Sequence, residues 1–215
     1  MSAEAVRFLQ QESARLQKEN KAQQEQLEAL HRYIDTLAEL YWAAQRIVHE
    51  ENPIDTLAQC LYDVMHVVGA QDGSLSLLDQ ESGELVFAIV HGQLHMQLTG
   101  HRIKSDVGIV GWVMENREPV IVNNPRQDWR FFWDVDQEFS FQTHSIVCVP
   151  VMQKGEPVGV VELVNKEHQG FTKSDVTMLS ILSHIAATAL ESTPLALRSI
   201  KISPPVEDEF SAFGL

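Results

Sequence analysis

The chain has 215 residues, 44% of them hydrophobic and 21% charged, with 30 acidic side chains against 16 Lys and Arg for a formal net charge of −14. That apolar content excludes a wholly disordered chain and suffices for one folded domain plus an appendage. The acidic balance, with no run of Lys or Arg, argues against phosphate-rich partners, so neither nucleic acid nor an anionic membrane is expected.

Two cysteines, Cys60 and Cys148, are too few for a disulfide scaffold and lack the spacing of a zinc site, so no metal is expected. Met1 to Asn20 has no apolar stretch of the signal-peptide kind, and no run of about 18 apolar residues occurs anywhere. A soluble, cytoplasmic protein in a reducing compartment is the expectation.

Ser2 to Glu51 contains neither Gly nor Pro and is rich in strong helix formers, which predicts one long helix. With Val6 at heptad position a, the a series is Val6, Ser13, Asn20, Leu27, Ile34, Tyr41 and Val48. The d series is Leu9, Leu16, Gln23, Leu30, Leu37 and Ala44, so only Ser13, Asn20 and Gln23 break the apolar seam. This pattern predicts a coiled coil, and Asn20 at an a position favours a parallel, in-register pair, because only aligned chains let the two amides meet. The alternative is a solvated helix lying on its own domain.

Asn52-Pro53 breaks the helix, and a second amphipathic segment runs from Ile54 to Val68, stopped by Gly69. Strands are then predicted at Ser74 to Leu78 and Glu84 to Val90 around the turn Glu81-Ser82-Gly83, with a weaker one at His101 to Lys104. A short helix over Gly108 to Asn116 and a short strand over Val120 to Val122 follow. Arg126 to Phe141 is aromatic-rich and irregular, with a short helix expected inside it. Ile146 to Met152 and Val158 to Asn165 read as a strong hairpin, and Lys173 to Ser192 as a terminal helix that resumes beyond Pro194. Strands joined by tight turns with helices at both ends indicate an α+β domain, an antiparallel sheet of about six strands with helices packed on it. The organisation read from this order is a dimerisation helix over 1–51, a domain over 52–200 and an acidic tail over 201–215. That tail, with Glu207-Asp208-Glu209 beside Phe210, Phe213 and Leu215, reads as a disordered segment able to dock into a partner's groove or as a frayed terminus.

No catalytic constellation emerges. His91, His95 and His101 cluster in sequence but lack a metal-binding motif, and are read as loop histidines in solvent. Cys148 sits in the apolar run Ile146 to Val149 and reads as a small core residue rather than a nucleophile paired with His144. Glu162 is the anomaly, because strand alternation places a carboxylate in the apolar row of Val158, Val160 and Val164. Either an internal donor satisfies it, or Glu162 and Ser74 together offer polar handles to a ligand in a cavity. Thr172 as N-cap makes Asp175 the N3 residue and Phe171 the apolar residue before the cap, a capping-box start with a hydrophobic staple. Lys166 is placed to pair with Asp175, so that Asn165, Lys166, Phe171 and Asp175 form a structural lock between last strand and last helix. Gly108-Ile109-Val110-Gly111 is a weak anion signal at a helix start.

Several segments together resemble a GAF domain over about Ile54 to Glu191: Gly73 to Asp79, Gly108 to Val113, Val149 to Val151, and Gly159 to Lys166 leading to Phe171 and Asp175. The Asn-Lys, Phe, Asp series is similar to the signature of GAF domains in cyclic-nucleotide phosphodiesterases and bacterial adenylyl cyclases, which bind cyclic AMP or cyclic GMP as an allosteric ligand. The resemblance implies ligand contacts at Ser74, at the backbone amides of Ile109 and Val110 facing the cyclic phosphate, at Asp136 reading the base, and at Thr143 and Glu162. The signature's final Glu is Val176 here, and a second pocket hydroxyl is Phe139. Arg126 to Ser145 holds no Cys for a bilin, and Cys148 alone stands where a methionine sulfoxide reductase of this fold has several, so neither a covalent cofactor nor enzyme activity is expected. The expectation is a homodimer, joined by the coiled coil and terminal helix, that acts through an unknown effector protein since no output domain follows. Its alternative is a ligand-free scaffold presenting the coiled coil and the tail.

Overall fold

The long Gly- and Pro-free segment forms α1 (Ala3–Ile47). The structure, a computed structural model, describes residues 3–50, 53–167 and 170–192; the segment beyond Ser192, including the tail 201–215, lies outside them. The chain divides into two compact units, one up to Ala38 and one from Glu39. In the first, α1 carries ion pairs of Arg15 with Glu12 and Glu19 and of Lys21 with Glu25 along its surface. Its heptad residues Leu16, Leu27, Leu30 and Ile34 are each more than half exposed in the single chain.

In the second unit the last turns of α1 bury Leu40, Ala43 and Ile47 and leave Tyr41 and Val48 exposed. The helix stops at Ile47, short of the expected Glu51. The chain turns through His49, whose amide donates to the Arg46 carbonyl, and Pro53 then opens α2 (Pro53–Val68) with its fixed φ and missing N–H at no cost. Gly69, at φ 77°, ends α2 by donating to the Met65 carbonyl.

Six strands follow: β1 (Ala70–Leu78), β2 (Glu84–His91), β3 (Arg102–Lys104), β4 (Val120–Val122), β5 (Ile146–Gln153) and β6 (Glu156–Lys166). They pair antiparallel in the order β3-β2-β1-β6-β5-β4. β1 starts four residues before the expected Ser74, because Ala70 to Gly73 complete the ladder against β6 despite having no β-branched side chain. The β5–β6 hairpin turns through Lys154 and Gly155, both at positive φ, as the twist of a tight hairpin requires.

Between the strands lie α3 (His95–Leu98), α4 (Gly108–Asn116) and α5 (Asp134–Glu138), and α6 (Lys173–Ser192) closes the domain. α3 had no counterpart in the sequence reading, since four residues carry no periodicity. Alternation then sorts the sheet into two faces. Val161 and Leu163 of β6 join the apolar face of α6, with Leu179, Leu182 and Ala186, and that of α2, with Leu57, Leu61 and Val64. The opposite face, with Val160, Glu162, Ile146 and Cys148, meets α4 through Ile109, Val113 and Met114. Farther along, Phe87 and Val90 pack with Leu94 and Leu98 around α3. The gap between these two clusters positions the site.

Candidate functional site

A cavity of about 330 Å³ opens over that second face, enclosed by β1, β2, β3 and β6 below and by α3, α4 and α5 with their connections above. Ser74, Ile109, Val110, Asp136, Thr143 and Glu162 all line it. Ser74 and Glu162 are direct cross-strand partners on β1 and β6, and Cys148 flanks Glu162 on β5. Their adjacency follows from register alone, because every second residue of a strand returns to the same face.

Ser74 is buried, and neither its hydroxyl nor the Glu162 carboxyl forms a hydrogen bond among the described residues; both open on the cavity. Burial, and then the charge of Asp136, push the Glu162 carboxyl up to about 7. Among the described residues no cation lowers it in turn. Asp136 is differently placed: its Oδ1 accepts the Thr143 hydroxyl at 2.6 Å and its Oδ2 the Thr143 amide at 2.9 Å, which ties α5 to the segment entering β5. Ile109 and Val110 occupy the first turn of α4, where Gly111 makes the first helical bond, to the Val107 carbonyl, and no side chain caps the helix. The preceding amides therefore lack acceptors inside the helix and suit an anion. Two glycines permit this approach. Gly108 sits at φ 73°, and a Cβ on Gly111 would lie 2.4 Å from the carbonyl carbon of Asp106.

Residues that sequence reasoning did not single out complete the lining. Phe87, Phe131 and Phe141 supply apolar walls. Arg102 also faces the cavity, but its guanidinium is held by Asp79 at 2.7 Å and Glu84 at 3.5 Å. Lys104 faces it with no ion pair among the described residues. The alternation of Arg102 and Lys104 on a three-residue strand is too short a pattern to have flagged them. Asp72, whose carboxyl burial pushes up, accepts the Gln93 amide at 2.6 Å.

The histidines correct an expectation. His91 ends β2, lines the cavity and donates from Nε2 to the Ala58 carbonyl at 2.8 Å, and His101 lines the cavity edge-on to Phe139. His95 is exposed, as expected, though its Nδ1 donates to the Val90 carbonyl. The reading as solvent loops fails for the first and third because β2 runs through His91 and α3 folds the chain back over the sheet. Among the described residues no group of three His, Cys, Asp or Glu side chains is arranged to hold a metal ion. Cys148 is fully buried, and burial followed by Glu162 raises its thiol well above the ordinary range, so it stays protonated.

Beside the cavity, Asn165 adopts a left-handed φ of 60° at the end of β6. Its Oδ1 accepts the His144 amide at 2.7 Å and its Nδ2 donates to the Gln142 carbonyl at 2.9 Å, so it grips the chain on both sides of Thr143. Lys166 pairs with the fully buried Asp175 at 2.6 Å, and Asp175 also accepts the Thr172 amide and hydroxyl. The Thr172 carbonyl takes the first helical bond, from Val176, which makes Thr172 the N-cap of α6. Buried Phe171 is fixed through both backbone groups by the Asn123 side chain.

Comparison with known proteins sets this geometry in a family. The GAF domain profile matches residues 50–191. The chain is 27% identical over 162 residues to a probable 3′,5′-cyclic phosphodiesterase of Caenorhabditis elegans, spanning 71% of this chain and 22% of that protein. It is 32% identical over 97 residues to a dual 3′,5′-cyclic-AMP and -GMP phosphodiesterase 11A of Takifugu rubripes, spanning 44% of this chain and 11% of that one. The chain thus spans less than a quarter of the length of these relatives. Among solved structures, the GAF domain of a phosphoenolpyruvate-protein phosphotransferase from Coxiella burnetii superposes with a TM-score of 0.65 at 20% identity, over 76% of this chain and 98% of that one. A free methionine-R-sulfoxide reductase from Neisseria meningitidis, in complex with its substrate, gives 0.60 at 23%, over 73% and 89%. These two likenesses are of fold. A profile that runs from the end of α1 to the last turn of α6, across the whole sheet and the cavity above it, shows that this chain belongs to the GAF domain family.

Proposed function

We propose that this GAF domain is a non-enzymatic regulatory module whose cavity binds a 3′,5′-cyclic nucleotide, cyclic AMP or cyclic GMP, and passes occupancy to a partner protein. The observation that carries the reading is the cavity, about 330 Å³, lined at once by Ser74, Ile109, Val110, Asp136, Thr143 and Glu162. That volume lies at the lower end of the roughly 300–1,000 Å³ range of small-molecule sites. Cyclic-nucleotide phosphodiesterases among the relatives favour the same ligand class. A non-catalytic role agrees with Cys148, whose buried, protonated thiol is a poor nucleophile.

The module acts as a homodimer, its α1 helices pairing in parallel through the exposed heptad residues and α6 joining the dimer contact. Occupancy then acts by shifting the balance between two arrangements of the pair, to the extent that nucleotide binds them differently. Titration calorimetry with cyclic AMP and cyclic GMP tests the ligand. Binding of at least one nucleotide is expected, and it weakens in Glu162→Ala. No heat with either, or heat unaffected by the substitution, would refute the pocket and favour a ligand-free scaffold.

A further inference from the structure

If the cavity takes a cyclic nucleotide, as proposed above, the sheet face carries the means to tell one purine from the other. Glu162 sits mid-strand between Ser74 and Cys148, with both carboxyl oxygens free of any hydrogen bond among the described residues and open on the cavity. Asp136, which faces it, has each oxygen already accepting from Thr143. Among the described residues Glu162 is therefore the carboxyl on the sheet floor with both oxygens uncommitted. An ionised carboxylate only accepts hydrogen bonds, whereas a protonated one donates once and accepts beside it. The pairing edges of the purines differ. Adenine sets a ring-nitrogen acceptor next to an amino donor, which only the protonated carboxyl matches with two bonds. Guanine sets a ring N–H between an amino donor and the O6 acceptor, so the ionised carboxyl accepts from both donors and the protonated one pairs with O6 and the ring N–H.

We propose that Glu162 is the base-discriminating residue of this pocket, holding an adenine edge only while protonated and a guanine edge in either form, so that rising pH turns the pocket toward 3′,5′-cyclic GMP. The enclosure of Glu162 and the neighbouring charge of Asp136 place the changeover at about 7. Other charged or titratable groups come from every surrounding element. β5 supplies Cys148, kept neutral by burial. β1 supplies Asp72, committed to the Gln93 amide, and β2 supplies His91. His101 and Lys104 face the cavity beside Arg102, which Asp79 holds, and α5 adds Asp134 and Glu138. Of all these, Asp136 is the charge that acts on the Glu162 proton. Any titration that acts on the ribose and phosphate alike cancels in the ratio of the two affinities.

That ratio is the measurement. Dissociation constants of cyclic AMP and cyclic GMP for the full chain are determined by calorimetry from about pH 5.5 to 8.5. One-proton linkage predicts that the affinity ratio of cyclic AMP to cyclic GMP is flat at acid pH and falls by up to about tenfold per pH unit above about pH 7. In Glu162→Gln, whose amide presents a fixed donor beside a fixed acceptor and so matches either purine, the ratio stays at its acid-pH value and flat with pH. A flat ratio in the wild-type chain overturns the inference without need of the variant and leaves the nucleotide-binding reading standing. A slope that persists in Glu162→Gln overturns it as well. Failure of both nucleotides to bind at any pH overturns the underlying reading and this inference with it.

Discussion

The unpartnered carboxyl of Glu162 makes the ligand-free domain lose stability as pH rises. Its carboxyl is pushed from an ordinary 4.5 to about 7 in the folded chain. With the folded value above the unfolded one, the native state binds the proton more tightly between the two values. The stabilisation is complete below about pH 4.5 and is lost as pH climbs through about 7. A shift of this size, at 1.36 kcal/mol per unit, corresponds to about 3 kcal/mol. Glu162→Gln keeps the shape and removes the charge, so wild type and variant should be equally stable near pH 4.5. Above pH 8 the variant should be more stable by about 3 kcal/mol, or roughly 6–12 °C in Tm for a chain of this size. Urea or thermal unfolding of both proteins across this range, read as the difference between them, cancels every other titrating group. A difference that stays flat with pH would show that the folded domain leaves the carboxyl as easily ionised as in the unfolded chain, and a variant less stable than wild type at pH 8 that it stabilises the ionised form; either is contrary to its surroundings as described.

Asp175→Asn should cost about 3–5 kcal/mol in chemical denaturation, because it leaves the Lys166 ammonium facing a buried neutral group; wild-type stability would mean Lys166 finds another acceptor. Gly111→Ala drives a Cβ against the Asp106 carbonyl and should lower stability by roughly 1–3 kcal/mol, with a melting point equal to wild type as the contrary result. Replacing Leu27 and Leu30 together by Glu should halve the sedimenting mass while helicity of the folded domain persists, if α1 pairs with a second copy through that stripe; an unchanged mass would refute the coiled-coil dimer. Cys60, its thiol pushed up to about 11, and Cys148, its thiol also pushed well up by burial, should label with a thiolate-specific reagent only on unfolding. Rapid native-state modification of Cys148 would contradict its placement.

The regular elements were legible because their causes are local. The break at Pro53, the stop at Gly69, the Lys154-Gly155 hairpin and the Thr172 cap are each written in one or two residues. Alternation in β6 was enough to mark Glu162 as anomalous before any cavity was known, since a carboxylate in an apolar row demands an explanation. Partners far apart in sequence were not legible. Nothing around Asp136 announces that Thr143 takes both of its oxygens, and nothing in the pair Asn165-Lys166 announces that Asn165 reaches back to Gln142 and His144. His91 was misjudged for the same reason: its acceptor, the Ala58 carbonyl, lies on α2. The positions of Lys104 and Phe87 over the cavity depend on sheet order, which no single strand encodes.

The grip of Asn165 has a consequence for timing. The segment that holds Thr143, and through it α5, is anchored at Asn165, and the very next residue clamps the start of α6. Peeling the cavity's cover away at that end and fraying the first turn of α6 therefore draw on the same short stretch of backbone. In native-state hydrogen exchange the amides of Thr143, His144 and Val176 should open in one event with one free energy, and a ligand leaving by that side would depart no faster than α6 unwinds its first turn.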